Sequence, residues 1–175
     1  LEWLGDPDKW EKSPGSPAAS DKRLALVQFT YALRDALRTG AMPASARGKF
    51  VTAAVNLARI QDADGAWADK SGESLGSPAT YGSTLATALS REALREADAA
   101  RFAVAIERAG KWLSRVKPES TVDHAALLLA GTRPETSPLL RGQTSDGGFG
   151  PYPGTPPEVF DTAIAVLALK GTGKH

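Results

Sequence analysis

An all-α fold is what this sequence predicts, and three observations carry the prediction. No segment alternates apolar and polar residues strictly over the length of a strand. Apolar residues instead recur at steps of three and four, most clearly at Phe102, Ile106, Ala109, Leu113 and Val116. And the pattern Q-x3-G-x-aromatic occurs twice, as Gln61, Gly65, Trp67 and as Gln143, Gly147, Phe149, with all three positions displaced by one common interval. Self-similarity at a fixed displacement is the mark of a repeat architecture.

The first twenty residues are rich in Pro, Gly, Ser, Asp and Lys and read as an irregular segment anchored by Trp3 and Trp10. One repeat domain over 21–175 is expected to follow. Asp21 can cap a helix over 22–38, which Gly40 and Pro43 end. The next helix, over 45–60, buries Phe50, Ala53, Ala54, Leu57 and Ile60. A loop containing Gly72, Gly76 and Pro78 leads to a helix over 79–94, weakened at Gly82. The strongest periodicity gives a helix over 97–116, stopped by Pro118. A short, nearly all-apolar helix over 123–130 ends at Gly131, and a brief stretch near Leu139 and Leu140 precedes the second motif. A Gly/Pro loop over 147–157 and a last apolar helix over 158–169, closed by Gly171, complete the chain.

These helices alternate in kind. Those over 45–60 and 97–116 are amphipathic, whereas those over 22–38, 79–94, 123–130 and 158–169 are apolar on most faces. Half-buried and fully buried helices in alternation describe two layers built from helical hairpins. Superposing the apolar helices places Ser83, Asp123 and Asp161 at equivalent first-turn positions, with Asp21 a fourth. Superposing the amphipathic ones pairs Leu57 with Leu113 and Arg59 with Arg115, and puts Lys117 where the motif has Gln. About four repeats result, two of them well marked. Within the motif, the Gln can satisfy carbonyls at a helix end, the Gly permits a tight turn, and the aromatic seals the joint between repeats.

Composition narrows the function. Lys and Arg number 21 against 20 Asp and Glu, for a net charge of +1, and the charges are scattered, which gives no footprint for nucleic acid. The absence of cysteine removes disulfides, Cys zinc sites and Cys nucleophiles. No apolar run approaches the roughly 18 residues of a membrane span, and no targeting segment is visible, so the compartment is open. A chain opening at Leu1 reads as a processed form or a fragment.

The segments NLARIQDADGAW and PLLRGQTSDGGF resemble the QW repeat of squalene and hopene cyclases, and PPEVFDTAIAVLAL resembles the inner helix that follows it. That clan includes the protein prenyltransferase β-subunits. The resemblance covers most of 45–170 and implies an α/α toroid of inner and outer helices. A complete toroid has about six hairpins, so a partial one is expected here.

The chemistries this resemblance implies are poorly matched. The cyclase D-x-D-D acid motif is missing; Asp62–Asp64 and Asp6–Asp8 are the nearest strings and sit at loops. Prenyltransferase zinc requires Cys. His124 beside Asp123 is the only internal His, and adjacent helical residues point about 100° apart, a poor chelate. The string over 62–73 starts like an EF-hand loop and has Glu73 at its twelfth place, but Trp67 stands where Gly is needed. The candidate catalytic acids are Asp161, Glu158, Asp123 and Asp146, expected to gather at one end of the inner helices; the competing reading is that they cap helices. No cofactor is called for. A structural or binding module is expected, with a fragment of a terpenoid cyclase-like or polysaccharide lyase-like enzyme as the alternative. Uncovered apolar faces at the ends of a partial ring would favour a homodimer or a missing segment of the same toroid.

Overall fold

The computed structural model describes residues 22–68 and 82–171. Among them the chain is helical, with no strand; a single backbone bridge, Gln143 to Phe149, lies within a turn. The helices are α1 (Lys22–Arg38), a 3-10 turn (Ala44–Ala46), α2 (Arg47–Arg59), α3 (Gly82–Asp98), α4 (Ala103–Arg115), α5 (Thr121–Leu129), α6 (Ser137–Leu140) and α7 (Val159–Lys170). The expected cap Asp21, the irregular first twenty residues and the loop glycines Gly72 and Gly76 lie outside the described residues.

Several boundaries differ from the sequence reading, the largest shifts for local reasons. α3 runs on to Asp98, because Ala93, Leu94 and Ala97 continue its buried stripe. The Asp98 carboxylate then accepts from the Arg101 amide at 3.0 Å and forms the turn before α4, so α4 begins at Ala103 and not at 97. α3 is described from Gly82, whose φ is +69°; the expected start at 79 lies outside the described residues. α5 starts two residues before Asp123, because Ser120 is its N-cap. The Ser120 hydroxyl accepts from the Asp123 amide while the Asp123 carboxylate accepts from the Ser120 amide, a reciprocal capping box.

Four helices pack in succession: α1 on α3, α3 on α5, α5 on α7. α2 lies against α1 and α3, α4 against α3, and α6 against α5. The packing partners follow the sequence patterns. In α3 every residue from Thr84 to Ser90 is buried, as expected of a helix flanked on several sides. α4 buries only Ala109 and Leu113 and exposes Lys111, Ser114 and Arg115. Alanines line much of the core (Ala53, Ala54, Ala88, Ala93, Ala125, Ala126, Ala165), and their small side chains let helix backbones approach closely. No described helix is long and apolar enough to cross a membrane.

Candidate functional site

The two Q-x3-G-x-aromatic segments close into the same hydrogen-bonded clasp, position for position. The Gln61 amide donates to the Gly65 carbonyl at 2.9 Å, and Gln143 donates to Gly147 at 2.9 Å. The amides of Asp62 and Thr144 donate to Ala66 and Gly148 at 2.9 Å each, and those of Gly65 and Gly147 reach back to Asp62 and Thr144. Inside each loop a carboxylate accepts a backbone N–H two residues on: Asp64 from Ala66 at 3.0 Å, Asp146 from Gly148 at 3.1 Å. The aromatic residue's amide then donates to a threonine hydroxyl on the following helix, Trp67 to Thr87 at 3.0 Å and Phe149 to Thr162 at 2.9 Å. Both rings are 1% exposed. Each clasp thus ties the end of one helix to the first half of the next, through side-chain positions that pattern reading of the motif alone did not include.

What surrounds the clasps differs. The first is fastened to α4: the Gln61 amide also donates to the Ala105 carbonyl at 2.9 Å, and the Arg108 guanidinium donates to the carbonyls of Asp62 and Ala63 at 2.8 Å each. The Trp112 indole N–H reaches the Asp64 carboxylate at 3.1 Å. Gln143 is exposed, and Gly147 is its hydrogen-bond partner among the described residues. The glycines record the same contrast. Both take a positive φ, +102° at Gly65 and +88° at Gly147. A Cβ on Gly65 would lie 2.6 Å from the Arg108 carbonyl oxygen, whereas one on Gly147 would meet only the Gln143 amide, at 4.0 Å. Gly147→Ala is therefore expected to carry the backbone cost alone, on the order of 1–2 kcal/mol, and Gly65→Ala distinctly more, because backbone must move as well. Urea melts of the two variants would check the order; equal losses would show that the Arg108 carbonyl yields freely.

The threonine bonds also fix the register of the helices that follow the clasps. With Thr87 matched to Thr162, Asp161 stands where α3 has Ala86, and Glu158 where α3 has Ser83. This corrects the superposition made from apolar pattern, which paired Ser83 with Asp161. More residues separate the first clasp from α3 than separate the second from α7, and that difference conceals the register.

The candidate acids fall into three situations. Asp123 is consumed by α5's capping box, its carboxylate also accepting from the Glu119 amide at 3.1 Å. Asp146 belongs to the second clasp, where the Thr144 hydroxyl, then the Gly148 amide, hold its carboxyl below the usual range. Asp161, in the first turn of α7, is fully buried and neither carboxyl oxygen has a hydrogen-bond partner. Burial, and then the nearby Glu158, push its carboxyl above the ordinary range. Glu158 is the α7 N-cap residue and makes no side-chain cap. The structure therefore brings Glu158 and Asp161 together on one helix turn, while Asp123 and Asp146 are held by hydroxyl and backbone N–H groups of their own turns.

The metal candidates Asp123 and His124 are neighbours on α5. Burial lowers the His124 pKa despite the adjacent Asp123, and no group of three or more potential ligands occurs among the described residues. In the EF-hand-like string, the Asp62 carboxylate is held by Arg23 at 2.8 Å and by the Ala68 amide at 3.0 Å, so its oxygens are already engaged. No family model, curated protein or solved structure matches this chain.

Proposed function

We propose that this chain is part of an α/α toroid of the kind its QW-like segments resemble, and that it serves as a structural or binding module without catalysis of its own. The observation that carries this reading is the duplicated clasp. Two segments far apart in the chain spend their glutamine, glycine, acidic and aromatic positions on the same structural bonds. Residues committed in that way are joints between helices. In this reading α1, α3, α5 and α7 are the inner members, and α2, α4 and α6 the outer ones.

The test is direct. Purified protein incubated with zinc and then dialysed is expected to retain no stoichiometric metal by elemental analysis, and to transfer no prenyl group to a peptide thiol. One zinc per chain, or measurable transfer, would overturn the module reading.

One observation favours the second reading, a fragment of an enzyme. A carboxylic acid kept neutral by burial is the form that donates a proton, and Asp161 is buried without a partner. If Asp161 served a terpenoid cyclase-like reaction, the wild-type protein would turn over an isoprenoid substrate and Asp161→Asn would not. Fold resemblance by itself transfers neither activity.

A further inference from the structure

The exposed face of α7 carries an apolar stripe that the equivalent helix keeps covered. Val159, Ala163, Val166 and Leu167 follow the i, i+4, i+7, i+8 spacing of a single helical face, opposite the buried Asp161, Ile164, Ala165 and Ala168. Val159 is 89% exposed, Val166 53% and Leu167 45%. In the register set by the threonines, their counterparts on α3 are Thr84, Ala88, Arg91 and Glu92. Thr84 and Ala88 are buried, and the Arg91 guanidinium donates to the carbonyl of Ala130, at the end of α5, at 2.8 Å. The α3 stripe thus faces the next helix of the row. On α7 an Arg–Glu pair has become Val–Leu, and those side chains stand in water.

We propose that this stripe is a homodimer interface, in which α7 of one protomer packs antiparallel against α7 of its partner. Three features select a second copy. The stripe is nearly palindromic about Ala163, with Val159 and Leu167 each four residues away. An antiparallel pair centred there sets Val159 of one protomer against Leu167 of the other, with the two small Ala163 side chains at the close approach. Charge agrees, since Glu158 at the start of α7 comes beside Lys170 at the end of the opposing helix. Lastly, the far edge of the row has no comparable stripe to offer. The exposed line of α1 is Ala25, Gln28, Ala32 and Asp35, so head-to-tail stacking would set small and polar residues against Val and Leu. A two-fold contact also closes on itself, whereas head-to-tail stacking would polymerise.

A 12-residue helix is about 18 Å long at 1.5 Å per residue. One such contact buries less than the roughly 800 Å² per partner of a standard interface. The dimer is therefore expected to be weak, with Kd in the micromolar range.

Sedimentation velocity on the full chain, from about 1 to several hundred micromolar around that expected Kd, should show reversible monomer–dimer exchange. The Val166→Glu/Leu167→Glu double variant should remain monomeric with an unchanged far-ultraviolet dichroism spectrum. Glu158→Lys should weaken association at least several-fold, and adding Lys170→Glu should restore it. A monomer throughout the wild-type series would overturn the proposal and leave the stripe to a helix of another chain. A dimer that survives the double variant would overturn it too, placing the contact elsewhere.

Discussion

Trp67→Ala and Phe149→Ala are each expected to destabilise the fold by roughly 3–5 kcal/mol, the usual cost of truncating a buried large aromatic side chain. Both rings are 1% exposed and close the joint between two helices, so truncation opens a void in a buried setting. For a chain of this size that corresponds to a fall in Tm of about 10 °C. The two sites differ in one respect that a milder substitution can isolate. The Trp67 indole N–H donates to the Leu57 carbonyl in the last turn of α2, at 2.9 Å in a buried setting. Trp67→Phe retains most of the apolar bulk but leaves that carbonyl the Ile60 amide alone, at 3.3 Å, and should itself cost about 0.5–1.5 kcal/mol. Phe149 carries no such bond, so Phe149→Leu should act through packing alone. Urea or thermal melts would decide the matter. If both alanine variants melt within a degree or two of wild type, the aromatic residues do not seal the joints.

The glutamine, glycine and aromatic positions were legible in sequence because each residue type is imposed by backbone geometry. The threonines that complete the clasp were not. Thr87 and Thr162 follow their aromatic partners at unequal distances along the chain, so no fixed spacing reveals them. The same unequal separation shifted the apparent alignment of Ser83, Asp123 and Asp161. A further internal match escaped pattern reading because it is polar. Arg34–Arg38 reads R-D-A-L-R and Arg91–Arg95 reads R-E-A-L-R, and Trp10 precedes Trp67 by the interval that separates these two strings. In the structure the two arginines that open them behave alike. Arg34 pairs with Asp35 at 3.1 Å and Arg91 with Glu92 at 3.6 Å, and both Nε atoms are buried without a partner. Hydrophobic periodicity finds helices and their buried faces; it does not see which polar positions recur, and the two threonines settle the register between α3 and α7. The helix class of the fold was therefore readable; α3 is buried as its pattern implies, but α1 and α7, read as covered on most faces, each leave one face exposed. The individual fates of the acids depended on contacts between distant segments.

Asp161→Ala is expected to stabilise the protein at neutral pH, and the sign follows from linkage. Burial raises the folded-state carboxyl above its unfolded range, with Glu158 adding to the effect. The folded chain thus binds this proton more tightly than the unfolded chain does. The resulting contribution is fully present below the unfolded Asp range near pH 4. It is lost as pH rises through the raised folded value, beyond which the fold must carry a buried charge that no side chain pairs, its own backbone N–H being the smaller, opposing influence. Alanine occupies the equivalent buried position, Ala86 on α3. Removing a buried polar group that has no partner should gain about 1–3 kcal/mol at pH 7. That advantage should shrink as the pH is lowered towards 4. Asp161→Asn separates the two contributions, because it keeps an unsatisfied polar group but cannot ionise; its stability difference from the alanine variant should not vary with pH. Comparing urea midpoints of the three proteins across pH 4–8 cancels the other titrating groups, which all share. If the alanine variant is instead less stable at pH 7, the Asp161 carboxylate has a stabilising partner in solution. The enzyme reading would then lose the neutral acid on which it rests.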